Sequence, residues 1–391
     1  MDKRKALFSG RTMAVVVVLA AVVLAAAGCW VAQQTYGLGI TGMNNSNSWG
    51  LYIMAFMFFV GLSAGGLIVA SSAHVFGIES FKRVSVPAVI TSIVCICCAG
   101  AFVLIDLGGV ARVWRMFVGL NFVSPLAWDM IVITCYLVIN VLDLVWLVRG
   151  DERKVAVLSR VALPVAILVH SVTAWIFGLQ MAKDWYSAIM APIFVASAMD
   201  SGLALLLLAL MGLNKSGLFK VENKLISSLA GLLAVCIAVD AFFIGCECLT
   251  MAYPGAKGAE ALAVMAGGVT APFFWIEVIG GLIIPFCLMV FAKNRANMKL
   301  VGLASVLVVV GVFCKRVWLL FTSFYEFNVA GAPGVISGSS AARGASGMDV
   351  WALLGTYAPT WVEIVVALGV VALGVLAFIV LSRKLLTGRR A

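Results

Sequence analysis

The sequence predicts an all-α, polytopic integral membrane protein of about ten transmembrane helices. Three observations carry that reading. The chain of 391 residues is 63% hydrophobic and 11% charged, where a soluble domain carries about 25% charged residues. Its apolar residues fall into runs of the ~20 residues that a bilayer core requires. Its Lys and Arg residues collect in alternate connections between those runs, a topological signal. The formal charge of +10 is therefore spread over short loops and not gathered on a soluble face, which argues against a nucleic-acid partner.

The runs are residues 13–33, 51–76, 86–107, 125–148, 157–181, 192–211, 225–246, 272–291, 300–321 and 359–381. Unbroken apolarity makes them helices, because a barrel strand would alternate over ~10 residues. Lys3, Arg4, Lys5 and Arg11 precede the first run, and Ala26-Ala27-Gly28-Cys29 near its end resembles a lipoprotein cleavage box. Cleavage there would leave nine spans and an acylated Cys29, and this stays open beside the ten-span reading. Lys82 and Arg83 follow the second run. Arg149, Arg153 and Lys154 follow the fourth, Lys215, Lys220 and Lys224 the sixth, and Lys293, Arg295 and Lys299 the eighth. Arg383, Lys384, Arg389 and Arg390 close the chain. The opposite side holds Arg112, Arg115, Lys183, Lys257 and Arg343, so both termini are expected in the cytoplasm. Two outward loops are long, 247–271 and 322–358, and neither can hold a soluble domain.

The connection from Asp106 to Asp129 stands out. One carboxylate closes the third run and another opens the fourth, with Arg112, Trp114, Arg115 and Asn121 between them. Ionisable groups at membrane-helix ends are costly, so they are functional candidates by default. Four of the five helices entering from outside begin near proline: Pro125, Pro192, Pro272 and Pro359. Proline suits the first helical position. Three of them add Trp and a carboxylate: Trp128 with Asp129, Trp275 with Glu277, and Trp361 with Glu363. These are either helix-start anchors, favoured by the dipole and the interface, or working groups. SPLAWD and APFFWIE lie four helices apart, which hints at a duplicated four-helix unit. Asp200 lies deeper, about 12 Å into its helix by helical rise, and Asp240 lies near the outer end of its own. Lys315 and Arg316 interrupt an apolar run and need carboxylate partners, for which Asp240, Glu277 and Glu363 are available. That set is either a structural ion pair or a proton path.

Cysteine and histidine usage excludes several cofactors. No CxxC or CxxCH occurs among the 10 cysteines, so neither an iron–sulfur cluster nor a c-type haem is expected on this chain alone. His74 and His170 lie roughly 15 Å apart in depth by helical rise, too far for a shared haem. His74 reads as a polar helix-end residue. His170, mid-membrane, is either an interhelical hydrogen bond or a site residue. No metal site is expected.

Taken together, several stretches resemble the NrfD/polysulfide reductase membrane subunits. They are Trp49-Gly50 with FFVGLSAGG, DLGGVARVW, NFVSPLAWD, HSVTAWIFGL, WYSAIMAPIFVASAMDSG and YAPTWVE. The form is closest to the longer branch found in sulfite-reduction-associated, Hmc-type, quinone-reductase and alternative complex III assemblies. The resemblance implies two four-helix bundles with flanking helices. Here that means an N-terminal helix in 1–35, a first bundle in 36–190, a second in 191–322, and an outward loop with a last helix in 323–391. It also implies an exchangeable menaquinone or ubiquinone near the outward face and no haem or iron–sulfur cluster on this chain. The implied partner is a ferredoxin-like iron–sulfur subunit docked outside, with a molybdopterin or multihaem cytochrome subunit as a further candidate, in a bacterial cell membrane. Asp106, Asp129 and His170 match family motif positions. Shorter members carry a histidine where this chain has Asn44, Asn45 and Asn47, and Gly109 departs from their DLGRP motif.

The expected chemistry is quinol–quinone exchange at the outer end of the first bundle. Asp106, Asp129 and His170 are the candidate proton-handling groups. Tyr136, Arg112 and Asn47 are candidate head-group contacts, and Trp114 and Trp128 candidate walls for the isoprenoid tail. Two other classes remain: a secondary transporter, and a passive anchor of a redox complex.

Overall fold

Each apolar run becomes a helix because only internal hydrogen bonding satisfies the backbone in lipid. In the computed structural model ten helices are long and apolar enough to cross a membrane among the described residues. Those residues are 10–43, 47–181, 183, 185–253, 255–325 and 357–387. Lys3, Arg4, Lys5, Asn44, Asn45, Arg343, Arg389, Arg390 and residues 326–356 of the outward loop read over 322–358 lie outside them.

The ten are α1 (Gly10–Tyr36), α2 (Leu51–Val75), α3 (Ser85–Asp106), α4 (Pro125–Arg149) and α5 (Glu152–Gly178). They continue with α6 (Met190–Lys215), α7 (Asn223–Ala252), α8 (Ala271–Met289), α9 (Met298–Tyr325) and α10 (Trp361–Leu386). Helix α1 runs unbroken through Cys29. The middle of α8 is π-helical from Ile276 to Ile283.

Contacts organise the helices into two rings. α2, α3, α4 and α5 close one, α6, α7, α8 and α9 close the other, and α2 and α5 both pack on α6. α1 lies on α10, and α10 lies on α3. Between the rings α2 and α6 meet backbone to backbone. A Cβ built on Gly65 would fall inside contact distance of the Gly202 main chain, and the reverse holds as well. Small residues at such crossings let membrane helices approach closely. Gly65→Leu should therefore cost about 1–3 kcal/mol or more through overpacking. It would be read as a lowered thermal midpoint in detergent, and an unchanged midpoint would contradict this crossing.

Several boundaries differ from the sequence reading, and α6 begins at Met190, so Pro192 is its third residue. The stretch taken as an outward loop from 247 is helical to Ala252, and a second helix follows at Ala256–Gly267. Its Ala, Leu and Met are good helix formers, but 12 residues are too few to span. α10 begins at Trp361, so Pro359 precedes the helix. Thr360 is the N-cap and forms a reciprocal capping box with Glu363, which sets the start instead of proline.

Candidate functional site

The end of α1, the start of α2, the end of α3 and the start of α10 bring the first set of polar groups together. Tyr52 donates to Gln33 Oε1 at 2.8 Å, and Gln33 Nε2 donates to the Ile105 carbonyl at 3.0 Å. Asp106 ends α3 beside them, within electrostatic reach of Tyr52 and Glu363. Its Oδ1 is buried and has no hydrogen-bond partner among the described residues. An apolar groove opens between α1, α3 and α10, lined by Ala26, Trp30, Ala101, Leu104, Ile105 and Val370. A buried carboxylate oxygen left unpaired is unusual, because buried polar atoms are normally paired.

Glu363 has no such spare capacity. It accepts from Gly42 N at 2.7 Å, Thr360 N at 2.8 Å and the Tyr357 hydroxyl at 2.8 Å. Tyr357 in turn accepts from Leu51 N at 2.7 Å, and burial with the Glu363 charge pushes its phenol well above the usual range. The sequence offered Glu363 as a partner for Lys315. It instead ties the start of α10 to the turn before α2, because the capping box holds its carboxylate at the helix end.

Asp129 stands in another neighbourhood. It is 5% exposed and accepts from Thr173 Oγ1 at 2.6 Å. His170, three residues earlier on α5, turns both ring nitrogens to carbonyls: Ala166 at 2.7 Å and Val60 of α2 at 2.9 Å. This is an interhelical tie. Tyr136 lies elsewhere again. Its hydroxyl joins Ser63 Oγ at 2.9 Å, Ser92 Oγ at 2.8 Å and the Ser63 carbonyl at 3.0 Å. That hydroxyl fastens α4 to α2 and α3 and keeps no free capacity for a ligand. The candidate quartet of Asp106, Asp129, Tyr136 and His170 thus does not share one set of neighbours.

The remaining first-ring candidates scatter. Asn47 is fully buried. Arg112 is exposed, and Trp114 is 56% exposed with the Arg115 guanidinium 5.5 Å from its ring. Trp128 is half-buried and donates to the Phe122 carbonyl at 2.7 Å, anchoring the start of α4. Around them Phe117, Val118, Phe122 and Val123 are exposed, so the connection between α3 and α4 presents an exposed apolar surface with two arginines.

In the second ring the predicted charges do meet. Lys315 Nζ lies 2.8 Å from Asp240 Oδ1 and 3.4 Å from Glu277 Oε1, with all three buried. Trp318 Nε1 donates to Glu277 Oε2. Arg316 donates to Ser197 Oγ at 2.8 Å and stands 4.1 Å from the Phe194 ring. Asp200 is fully buried, and neither carboxylate oxygen has a partner among the described residues. The close approach of α8 and α9 makes room for this. Gly281 faces Gly311 so tightly that a Cβ on Gly281 would lie 2.7 Å from the Gly311 Cα. Among the described residues no group of three or more His, Cys, Asp or Glu side chains is placed to hold a metal.

Sequence reading passed over Trp185, Glu247 and Tyr357. Trp185 sits in a connection, Glu247 was assigned to a loop, and Tyr357 entered only as part of the YAPTWVE stretch. No local pattern signals the Ser187–Glu247 contact, because its partners lie 60 residues apart in the chain.

Residues 39–328 match the family described as polysulphide reductase, NrfD. A protein of Halobacterium salinarum, provisionally named as a membrane subunit of dimethyl sulfoxide reductase, is 34% identical over 378 residues, 90% of this chain and 86% of its own. A selenate reductase subunit of Mesobacillus selenatarsenatis is 28% identical, covering 74% of this chain and 76% of its own. The Hdr-like menaquinol oxidoreductase integral membrane subunit of Archaeoglobus fulgidus is 29% identical, covering 78% of each.

Proposed function

The chain belongs to the polysulphide reductase NrfD family, and from that premise we propose that it exchanges electrons between a membrane quinol and a separate iron–sulfur subunit. The coarser part is plain: its relatives are membrane subunits of reductase complexes, and this is a multi-pass membrane subunit of a redox complex. The finer part rests on one observation. Asp106 Oδ1 is a buried acceptor without a donor among the described residues, and the neighbouring Ile105 lines the apolar groove between α1, α3 and α10.

A quinol fits those residues by its chemistry. Its hydroxyl is the donor that Asp106 lacks, and its isoprenoid tail suits the groove. The Archaeoglobus relative carries menaquinol in its name, which favours a naphthoquinol. Oxidation releases two protons and two electrons. Asp106 accepts protons at the hydroxyl oxygen as general base and passes them to water at the outer end of α3. Tyr52 and Gln33, locked by their own hydrogen bonds, hold the end of α3 in place. The electrons leave to the partner's cluster, docked on the exposed apolar connection with Arg112 and Arg115. The first ring carries this work in our reading, within residues 36–190, and the second ring supports it.

Ten candidate spans support both ends of the described chain lying on one side. The Lys and Arg distribution assigns that side to the cytoplasm of a bacterial cell membrane, so the Asp106 corner faces outward. The test is quinol oxidation by the natively purified complex, with an artificial acceptor replacing the physiological one. The expected result is turnover of a short-chain menaquinol, in one direction or the other. Absence of turnover in both directions, with the partner's clusters intact, would refute the reading.

A further inference from the structure

A groove of about 390 Å³ runs along the second ring between α7 and the latter half of α8. That volume lies in the range of small-molecule pockets, about 300–1,000 Å³. Gly231, Val235, Ala238 and Phe242 form its α7 side, and Phe286 stands on its α8 side. The α7 positions are three or four residues apart, so they make one stripe along the helix. From Gly231 to Phe242 that stripe runs about 16 Å by helical rise. This is half of a ~30 Å hydrocarbon core, the depth of one leaflet. Val235 and Phe242 are 60% and 66% exposed, so the groove opens sideways to lipid.

One charged residue lines the groove: Arg295, in the connection between α8 and α9. Its Nη1 donates to the carbonyls of Met289 at 3.1 Å and Val290 at 3.4 Å, at the end of α8. Basic side chains suit that place, where a helix leaves its last carbonyls unpaired. The missing side chain of Gly231 lets the guanidinium lie against α7. A Cβ built on Gly231 would meet Cζ and Nη1 of Arg295 at 3.5 Å. The guanidinium is thus held at the Gly231 end of the stripe. Its Nε and Nη2 have no acceptor among the described residues, and no carboxylate there pairs with it.

The charge around this end has one sign. Lys224 stands in the first turn of α7, and Lys293 and Lys299 flank Arg295. Neither 223–239 nor 290–300 contains Asp or Glu. Glu222, just before α7, is taken up by Arg83 at 3.1 Å. Basic loops alone are a topology signal. Topology does not require a guanidinium fixed at the end of an apolar groove with two nitrogens unused.

We propose that this groove holds an anionic glycerophospholipid. Nε and Nη2 of Arg295 donate to its phosphate, in the paired geometry that arginine offers phosphate oxygens. One acyl chain lies along the stripe from Gly231 to Phe242. Basic pockets between membrane helices take acidic head groups in this way. Asp240 stands on the same stretch of α7, fully buried on the opposite face, so the lipid seals the lipid side of the helix that carries the Lys315 partner. This site is independent of the quinol reading above.

The test uses the natively purified complex, stripped of lipid in detergent, and a phosphatidylglycerol with a diazirine in its acyl chain. Cross-links are mapped by mass spectrometry. The expected result is labelling within residues 231–242 or 286–290, displaced by unlabelled phosphatidylglycerol and about tenfold less well by phosphatidylcholine. Arg295→Gln should lower that labelling about tenfold, as for one lost charge-assisted hydrogen bond, and Arg295→Lys should restore part of it. Ala238 is exposed on the groove wall, so Ala238→Phe fills the groove and leaves the contacts of Arg295 untouched. It should lower labelling as well. Equal displacement by phosphatidylcholine would overturn the role of the phosphate charge. Displacement by inorganic phosphate as effective as by the lipid would make this a free-anion site and overturn the lipid. Labelling that neither Arg295→Gln nor Ala238→Phe changes, or labels only elsewhere, would overturn the site.

Discussion

Asp106→Asn lowers quinol oxidation by the assembled complex about 10²–10⁴-fold, the range expected when a general base is removed. The substitution keeps the shape of the side chain and removes the proton acceptor. It leaves the Tyr52–Gln33–Ile105 chain intact, since none of those bonds involves Asp106. Assembly should therefore survive, and the loss should fall on turnover with the partner's clusters still present. Asp129→Asn is the informative companion. Its carboxylate already accepts from Thr173, and an amide oxygen can take that same bond, so the expected loss is about tenfold or less. The reverse ranking, with Asp129→Asn inactive and Asp106→Asn near wild type, would move the quinol site to α4 and α5.

Lys315→Ala removes one partner of a fully buried ion pair. Asp240 then keeps a charge with no compensation, and such a deletion costs about 3–5 kcal/mol. The expected observation is loss of monodisperse protein on size-exclusion chromatography, or a sharply lowered thermal midpoint. Replacing both members, Lys315→Met with Asp240→Asn, should recover part of that stability, since Asp240 then keeps no lone charge and Glu277 keeps its hydrogen bond from Trp318. Quinol oxidation by the double variant separates two roles. Near-normal turnover means the pair is structural. Stable protein with turnover abolished means the pair handles protons or ions during catalysis. A Lys315→Ala variant as stable as wild type would contradict the bidentate geometry at 2.8 and 3.0 Å.

The two predictions draw on different kinds of information. Lys315 was legible in the sequence as a cation that needs an acid in an apolar helix, and two of its three nominated acids are its partners. Glu363 was the wrong nominee. Depth along a helix does not say which helices are neighbours, and Thr360 gives Glu363 a local role as a cap. Asp106 was legible as a costly carboxylate at a helix end. That it lacks a donor, and that the neighbouring Ile105 lines a groove, depends on where α1 and α10 pack.

What the sequence alone determined is the class of molecule. Ten apolar runs and alternating basic loops follow from one-dimensional hydrophobicity, because lipid leaves the backbone no choice but helix. The paired Trp–carboxylate starts of α4 and α8 were also visible in one dimension. Tertiary structure decided which polar groups work together. Tyr136 and His170, attractive as isolated polar residues in the membrane, have their hydrogen-bonding capacity consumed by neighbouring helices. Glu247 and Trp185, passed over as connection residues, face one cavity. The physical reason is the same in each case. A polar side chain in lipid must find a partner, and whether that partner is another helix or a ligand depends on packing that no local pattern encodes.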